Sequence, residues 1–583
     1  MDPGTFLETV PPFGRGRFPD LDAFTWTGGG TPGAKVLALA AMRALPADPS
    51  VRSFLPAICV DVPPLVVVMS AFFDSFLREN DLLGFALSGA GDEEIAGAFA
   101  AAPLPASLVA DLKEIAAGVP RPLAVRSSRF LAEEWGGSGG RIRAARMIAG
   151  GPTGLPGRLE SLHDAVRHVY ASTFFGKARR GLEASGRSIH EEKMAVIVQE
   201  VVGSPHGSRF YPHISGLLRS FNFYPLGLAR PEQGLVQMAL GLGKSIVDEG
   251  VAWSYSPAHP HVNPPYAVIG DLLDQAQKEF WAVRTASDAR SKAAGAADDM
   301  IRCSLREAEE DGVLRFLAST YKVQDDRIVP GVEEEGPRLL DFSPILKHGR
   351  IPLSDLLKVL LRRCEDLLGE PVEVEFAVTL PEEESVTARL GLLAARPMRL
   401  SEPFVDLTPG DLGGGDVLVA SESVLGNGAP EGIRDIVYVR PDRFRSEQTK
   451  AIALEIEDLD RELTASARPY ILIGFGRWGT TDPLCGIPVR FDGIGGAKVL
   501  VEAPLPSMEV MLSLGAHFFQ RLIRSGTIYF SIEGSGRSRI DWAWLERQEP
   551  RAETRFLRHV AAAAPLLVRV DGRTGRGLIR HRP

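Results

Sequence analysis

Runs of apolar residues divide the chain into segments with strand period and segments with helix period. PPLVVVM is short, unbroken and rich in β-branched residues, the pattern of a buried strand. It runs into SAFFDSFLREN, where helical spacing puts Phe72, Phe73 and Phe76 on one side. Upstream, GGGTPGAKVLALAAMRAL predicts a glycine loop opening an amphipathic helix. Residues 93–118 are rich in Ala and Leu and read as helical, and PLAVRSS reads as a short strand ending on a positive residue. Residues 158–180 predict a helix, and AVIVQEVVG a strand stopped by the turn-prone GSPHGS. LVQMALGLGKSIVDEG predicts a strand, a glycine turn and a following segment, and the charged region 268–325 reads as helical. PLSDLLKVLLRRCEDLLG places its leucines at helical spacing. VEVEFAV alternates polar and apolar, the period of a half-buried strand, and LGLLAARPM predicts its neighbour.

The composition shifts at SEPFVDLTPGDLGGGD, which marks a linker. Beyond it, strand patterns (DIVYVRP, YILIGFGRWG, AKVLVEAP, TIYFSIEG) alternate with helix patterns (446–466 and HFFQRLIRS). That order predicts a separate α/β domain.

Bulk properties narrow the function. With 583 residues, 45% hydrophobic and 24% charged, the chain is long enough for two to four ordinary domains. A net charge of −9 argues against a nucleic-acid binder, because phosphate backbones require a basic footprint. Cys59, Cys303, Cys364 and Cys485 lie far apart without metal-ligand spacing, which suits a reducing cytoplasm. The N-terminus shows no secretory pattern, and the longest apolar stretch, PPLVVVMSAFF, is too short to span a bilayer.

A nucleoside triphosphate requires positive groups for its phosphates, carboxylates for Mg2+ and an apolar slot for its base. Lys35 stands on a glycine turn at a helix start, where backbone N–H groups and the helix dipole favour phosphate. Arg126 ends a strand, followed by two serines. Glu373 and Glu375 share one strand face and form a pair suited to Mg2+. Arg396 ends the next strand and is placed to reach the same site. GLGKS imitates the end of a Walker A loop, but Met238 stands where that loop needs its first glycine.

In order along the chain these stretches resemble the ATP-binding domain of phosphoenolpyruvate synthase and pyruvate phosphate dikinase. GAKVLALAAM resembles G-G-K-x-x-x-L-x-x-M, and LAVRSS resembles A-V-R-S-S. AVIVQEVVG resembles the strand with V-Q-x-M-V, and ALGLGKSIVDEG resembles G-L-G-E-x-V-V-x-G. VEVEF followed by LLAARP resembles D-x-E-F followed by L-Q-x-R-P. The resemblance runs from about residue 25 to residue 400. It implies a mixed α/β, ATP-grasp-like unit of two lobes closing on ATP and Mg2+, followed by a smaller α/β domain. The expected divisions are an extension at 1–20, lobes at 21–215 and 216–402, and a C-terminal domain at 403–583. It implies phosphate-binding roles for Lys35, Arg126 and Arg396, a nucleotide contact for Gln199, and metal and nucleotide contacts for Glu373 and Glu375. Adenine is expected near residues 196–202. Two departures bear on turnover. Ala395 stands in place of the family's glutamine before the last arginine. GGSGGRIRAARMIAGG stands in place of the small-residue loop S-F-A-G-x-x-x-T. That stretch reads either as a surface loop or as a phosphate cradle using backbone N–H groups and Arg141 or Arg143.

The family enzymes pass phosphate to a histidine in a G-G-x-T-S-H-A-A motif and then, on a barrel domain, to pyruvate. None of the eleven histidines lies in that motif, so the acceptor is open: a small molecule, a partner protein's histidine, or His517. LGAHFFQRLIRSGTIYFS sets His517 before a helix, with Gly526 opening a strand. A histidine so placed can accept phosphate or simply cap the helix. IGFGRWGTTDP, with Arg477 and Trp478 at its tip, reads as an anion-binding loop or as a tight turn with a packed tryptophan. The function classes left open are an ATP-dependent phosphotransferase, a non-catalytic nucleotide sensor or scaffold, and the ATP-binding subunit of a larger dikinase.

Overall fold

The computed structural model describes the chain except residues 1, 16–23, 132–144, 151–154, 184–186, 226, 249–250, 264–268, 286–298, 382–386, 399–404, 481–485, 505–517, 519–521, 523–524, 533–535 and 582–583. His517, Arg141, Arg143 and Cys485 fall outside the described residues.

The first lobe is built on a five-stranded sheet ordered Phe24–Thr27, Leu65–Val68, Met194–Glu200, Leu123–Arg129, Ala145–Ile148. Met194–Glu200 is buried at every position, because both faces of the sheet are covered. One face takes Val66, Val125, Val196 and Val198 into a core with Phe73, Phe76 and Tyr170 from the helices Ser70–Glu79 and Leu155–Ala171. The other face sends Leu65, Val67 and Ile197 into the core of the second lobe. The Ala- and Leu-rich stretch forms two helices, Asp92–Ala101 and Ala106–Gly118, separated at Pro103 and Pro105, where proline cannot continue a helix.

The second lobe centres on a six-stranded sheet ordered Trp253–Tyr255, Leu235–Ala239, Ile214–Arg219, Val372–Thr379, Ala388–Pro397, Ile58–Asp61. The last of these comes from early in the chain and runs parallel to Ala388–Pro397. The two sheets therefore do not divide at a single point in sequence. Helix Leu353–Leu368 covers this sheet with Leu353, Leu356, Leu357, Leu360 and Leu361, a stripe at helical spacing, and Gly369 ends it in the left-handed region at φ 74. The helical expectation for 268–325 is corrected. Two short helices, Ile269–Gln275 and Leu305–Glu310, alternate there with strands Glu279–Arg284, Met300–Ser304 and Ala318–Lys322. The charges that suggest a helix sit on strand positions such as Glu279 and Arg302, which form an ion pair across the sheet at 3.2 Å.

Gly216 illustrates how tightly the second sheet closes. A Cβ there would lie 2.0 Å from the Phe376 ring, its ladder partner, and Phe376 is buried. Gly216→Ala is expected to lower stability by about 1–3 kcal/mol through overpacking, read as a drop in melting temperature. An unchanged melting temperature would show that the ring moves aside freely.

The C-terminal unit begins at a four-stranded sheet packed under a seven-stranded one. At the centre of the larger sheet, Asp435–Val439, Tyr470–Phe475, Ala497–Ala503 and Ile528–Ser531 run parallel in chain order. Helix Thr449–Ala465 covers one face through Ile452, Ile456 and Leu463, and the small sheet covers the other. The loop after Ile214–Arg219 docks on this unit: Gly426 donates to the Phe223 carbonyl at 2.8 Å, and the Tyr224 hydroxyl to that of Thr527 at 3.4 Å. No single helix among the described residues is long and apolar enough to cross a membrane.

Candidate functional site

The two lobes meet across a cleft, and strand alternation decides which side chains enter it. In Leu123–Arg129, Val125 points into the helix-covered core, so Ala124 and Arg126 point to the second lobe. Their ladder partners Gln199 and Ile197 share that face. On the second sheet, Glu375 stands between Leu217 and Ala394, and Glu373 between Arg219 and Arg396.

Arg126 spans the cleft. Nη1 donates to the Leu393 carbonyl at 2.7 Å and to Gln199 Oε1 at 3.3 Å, and Nη2 pairs with Glu375 Oε2 at 2.7 Å. The guanidinium thus bonds its own sheet and two strands of the other, a geometry that a point charge such as lysine does not supply. Lys35 donates to the Ser127 carbonyl at 2.9 Å, beside Arg126 in sequence. Its helix, Ala34–Met42, starts at Gly33, whose φ of 77 and approach to Ser128 (a Cβ would lie 2.5 Å from its carbonyl oxygen) require glycine.

Between the sheets lies a cavity of about 280 Å3. Lys35, Arg126, Gln199, Glu200, Lys244, Asp248 and Glu375 are among its polar lining, and Met147, Val201, Leu217, Leu242 and Ile246 among its apolar lining. An apolar slot with a few convergent charges is the usual form of a small-molecule site. Glu373 and Arg396 are not part of this lining. Glu373 is clamped instead between Arg219 at 2.8 Å and Arg396 at 2.7 Å, next along the same strand face. Of the expected carboxylate pair, one member therefore faces the cavity and the other anchors two arginines at its border.

Lys244 escapes a reading of motifs alone. It opens the short helix Lys244–Val247 immediately after the glycine turn, and its Nζ lies 4.2 Å from the centre of the Trp281 ring. The turn is held by Leu242 N–H donating to the Trp281 carbonyl at 2.8 Å. The GLGKS signal was present in the sequence, but only as a failed P-loop. Met238 is buried within strand Leu235–Ala239, upstream of the turn.

The position of the missing glutamine is corrected by one residue. Counted back from Arg396, L-Q-x-R-P puts it at Ala394, and the register agrees. Ala394 opposes Glu375 on the cleft face, whereas Ala395 opposes Val374 and lies in the core. His517 and the glycine-rich stretch with Arg141 and Arg143 lie outside the described residues.

No cluster of three His, Cys, Asp or Glu side chains able to hold a metal converges among the described residues. Mg2+ bound with a nucleotide does not require one, since it takes one or two carboxylates and completes its shell with phosphate oxygens and water. Glu375, facing the cavity next to Arg126, fits that pattern.

Two lobes, a cleft between their sheets and a cavity joining basic groups to an apolar slot define an ATP-grasp-like nucleotide-binding unit with an added α/β domain. The chain belongs to the family described as pyruvate phosphate dikinase, AMP/ATP-binding domain, which matches residues 32–403. The match ends before the C-terminal unit begins. No curated protein matches the chain.

Proposed function

We propose that this protein binds ATP with Mg2+ in the interlobe cavity and transfers a phosphoryl group to an acceptor. The observation that carries the reading is the convergence of Lys35, Arg126, Lys244 and Glu375 from four separate segments on one cavity. The base would lie along Gln199, Val201 and Val202, against Leu217 and Ile246. Lys35, Arg126 and Lys244 would neutralise phosphate charge, and Glu375 would hold Mg2+ opposite the phosphates. The metal, when bound, offsets charge that develops on the transferring oxygens. Arg126 would exchange its bond to Glu375 for phosphate oxygens as the nucleotide enters, which couples binding to closure of the two sheets. Glu373 would act from the border, holding Arg219 and Arg396 in place.

A second reading, a sensor that binds nucleotide without turnover, draws on Ala394. An alanine there offers no side-chain donor or acceptor beside Glu375. Calorimetric titration with Mg·ATP, followed by product analysis, separates the two. The first reading expects saturable heat and slow release of ADP, or of AMP with phosphate, and Lys244→Met should weaken binding about tenfold. Binding with no ATP consumed favours the sensor. No heat with any purine nucleotide ends both.

A further inference from the structure

Lys244 differs from the other two cations of the cavity in what holds it. Lys35 donates to the Ser127 carbonyl, and Arg126 is paired with Glu375. Lys244 makes no ion pair among the described residues, although Asp248 closes the same helical turn and lines the same cavity. Its Nζ rests on an aromatic face instead, 4.2 Å from the centre of the Trp281 ring, and the Arg302 guanidinium lies 5.2 Å from the same centre. Trp281 is not part of the cavity lining. It packs against a small cluster that includes Ala124, Val201 and Leu242, and those three do line the cavity.

The nature of the contact matters for an anionic ligand. A lysine stem is flexible, and fixing its head costs conformational entropy that some partner must offset. A carboxylate would fix the ammonium but cancel its charge towards a ligand. An aromatic face attracts the cation through its quadrupole and leaves the net charge in place. The backbone sets the spacing independently of the ring. Leu242 N–H donates to the Trp281 carbonyl at 2.8 Å, and Gly241, at φ 78, lets the turn approach so closely that a Cβ would lie 2.6 Å from that oxygen. A substitution at position 281 therefore acts on the ring and leaves the turn's own hydrogen bond available.

We propose that Trp281 is a positioning residue for phosphate: its ring holds Lys244 in place at the cavity with its charge uncancelled, so that ligands are selected by their phosphate chain. The inference rests on the nucleotide reading above and adds to it a residue that touches no ligand. Lys35 and Arg126 are anchored on the first sheet, while Lys244 follows strand Leu235–Ala239 of the second. A phosphate chain held by all three would bridge the lobes.

Calorimetric titration of the full chain with Mg·ATP tests this, with thermal melting of each variant as the check on folding. Trp281→Leu should weaken binding about fivefold. The double variant Trp281→Leu with Lys244→Met should bind within about twofold of Lys244→Met alone, because the ring acts only through the lysine. Tetrafluorotryptophan placed at position 281 keeps the shape of the ring and loses its negative face. It should weaken binding as Trp281→Leu does, and it decides the matter if the leucine variant melts early. Adenosine, which carries no phosphate, should not distinguish any of these proteins from the parent. Effects that multiply in the double variant, to about 50-fold, would make Trp281 an ordinary packing residue and overturn the proposal. So would a Trp281→Leu protein that binds Mg·ATP within about twofold of the parent. A parent with no affinity for Mg·ATP would instead end the nucleotide reading, and this inference with it.

Discussion

Arg126→Met is expected to abolish measurable ATP binding, a loss of about 100-fold or more, and to loosen the contact between the two lobes. Arg126 bonds both sheets from the cavity wall, through Gln199 on its own and Glu375 and the Leu393 carbonyl on the other. Its removal takes away a phosphate ligand and the ion pair of Glu375, whose side chain is only 18% exposed. Breaking one side of such a pair costs more than the pair contributes, and the partial exposure limits the stability loss to about 2–3 kcal/mol. Arg126→Lys should keep part of the affinity, because the charge remains and the two-pronged geometry does not. The double variant Arg126→Met with Glu375→Gln should recover part of the stability and none of the binding, since it removes the carboxylate charge that Arg126 offsets without restoring a phosphate donor. Calorimetry and thermal melting of the three variants check this. An Arg126→Met protein that binds ATP within about threefold of the parent would remove this arginine from the site.

The second large effect concerns pH. Burial near the end of strand Ala497–Ala503 pushes the Glu502 carboxyl up to about 8, against an ordinary value of 4.5. Below the ordinary value both folded and unfolded chains hold the proton, and the group makes no pH-dependent difference. Between the two values the unfolded chain has released its proton while the folded chain keeps it, so stability falls as pH rises through that window and levels off above it. Glu502→Gln has no proton to lose. Its stability advantage over the parent should therefore grow by about 2–4 kcal/mol between pH 5 and pH 8. Urea unfolding of both proteins across that range measures the gap, and titrations common to both cancel in the difference. Curves that run parallel would mean that Glu502 titrates as an exposed acid.

Part of the cavity lining was legible because its residues stand in short local patterns. Lys35 on a glycine turn, Arg126 at a strand end and the Glu-x-Glu strand each carried a reason in their immediate neighbours. The same local reading could not separate the two glutamates. Spacing put both on one face, and only the opposing strands distinguish them, with Arg219 and Arg396 beside Glu373 and Arg126 reaching across to Glu375. Ala394 and Ala395 are indistinguishable as residues, and the ladder alone assigns one to the cleft and the other to the core. Lys244 was hidden because its value depends on Trp281, distant in sequence and brought beneath it by the fold. Glu502 was invisible for a different reason. AKVLVEAP reads only as a strand, and nothing local says that the neighbouring strands bury its acid.

By itself the sequence determined the element types of the apolar runs, the family and the order of the motifs, because periodicity and short motifs are properties of neighbouring residues. It misread 268–325, where charges paired across strands imitate a solvated helix. Tertiary structure alone decided which lobe Ile58–Asp61 serves, which glutamate faces the cavity and that Glu502 lies buried. Those outcomes rest on contacts between segments far apart in the chain, and no local pattern encodes what a distant strand will bring alongside.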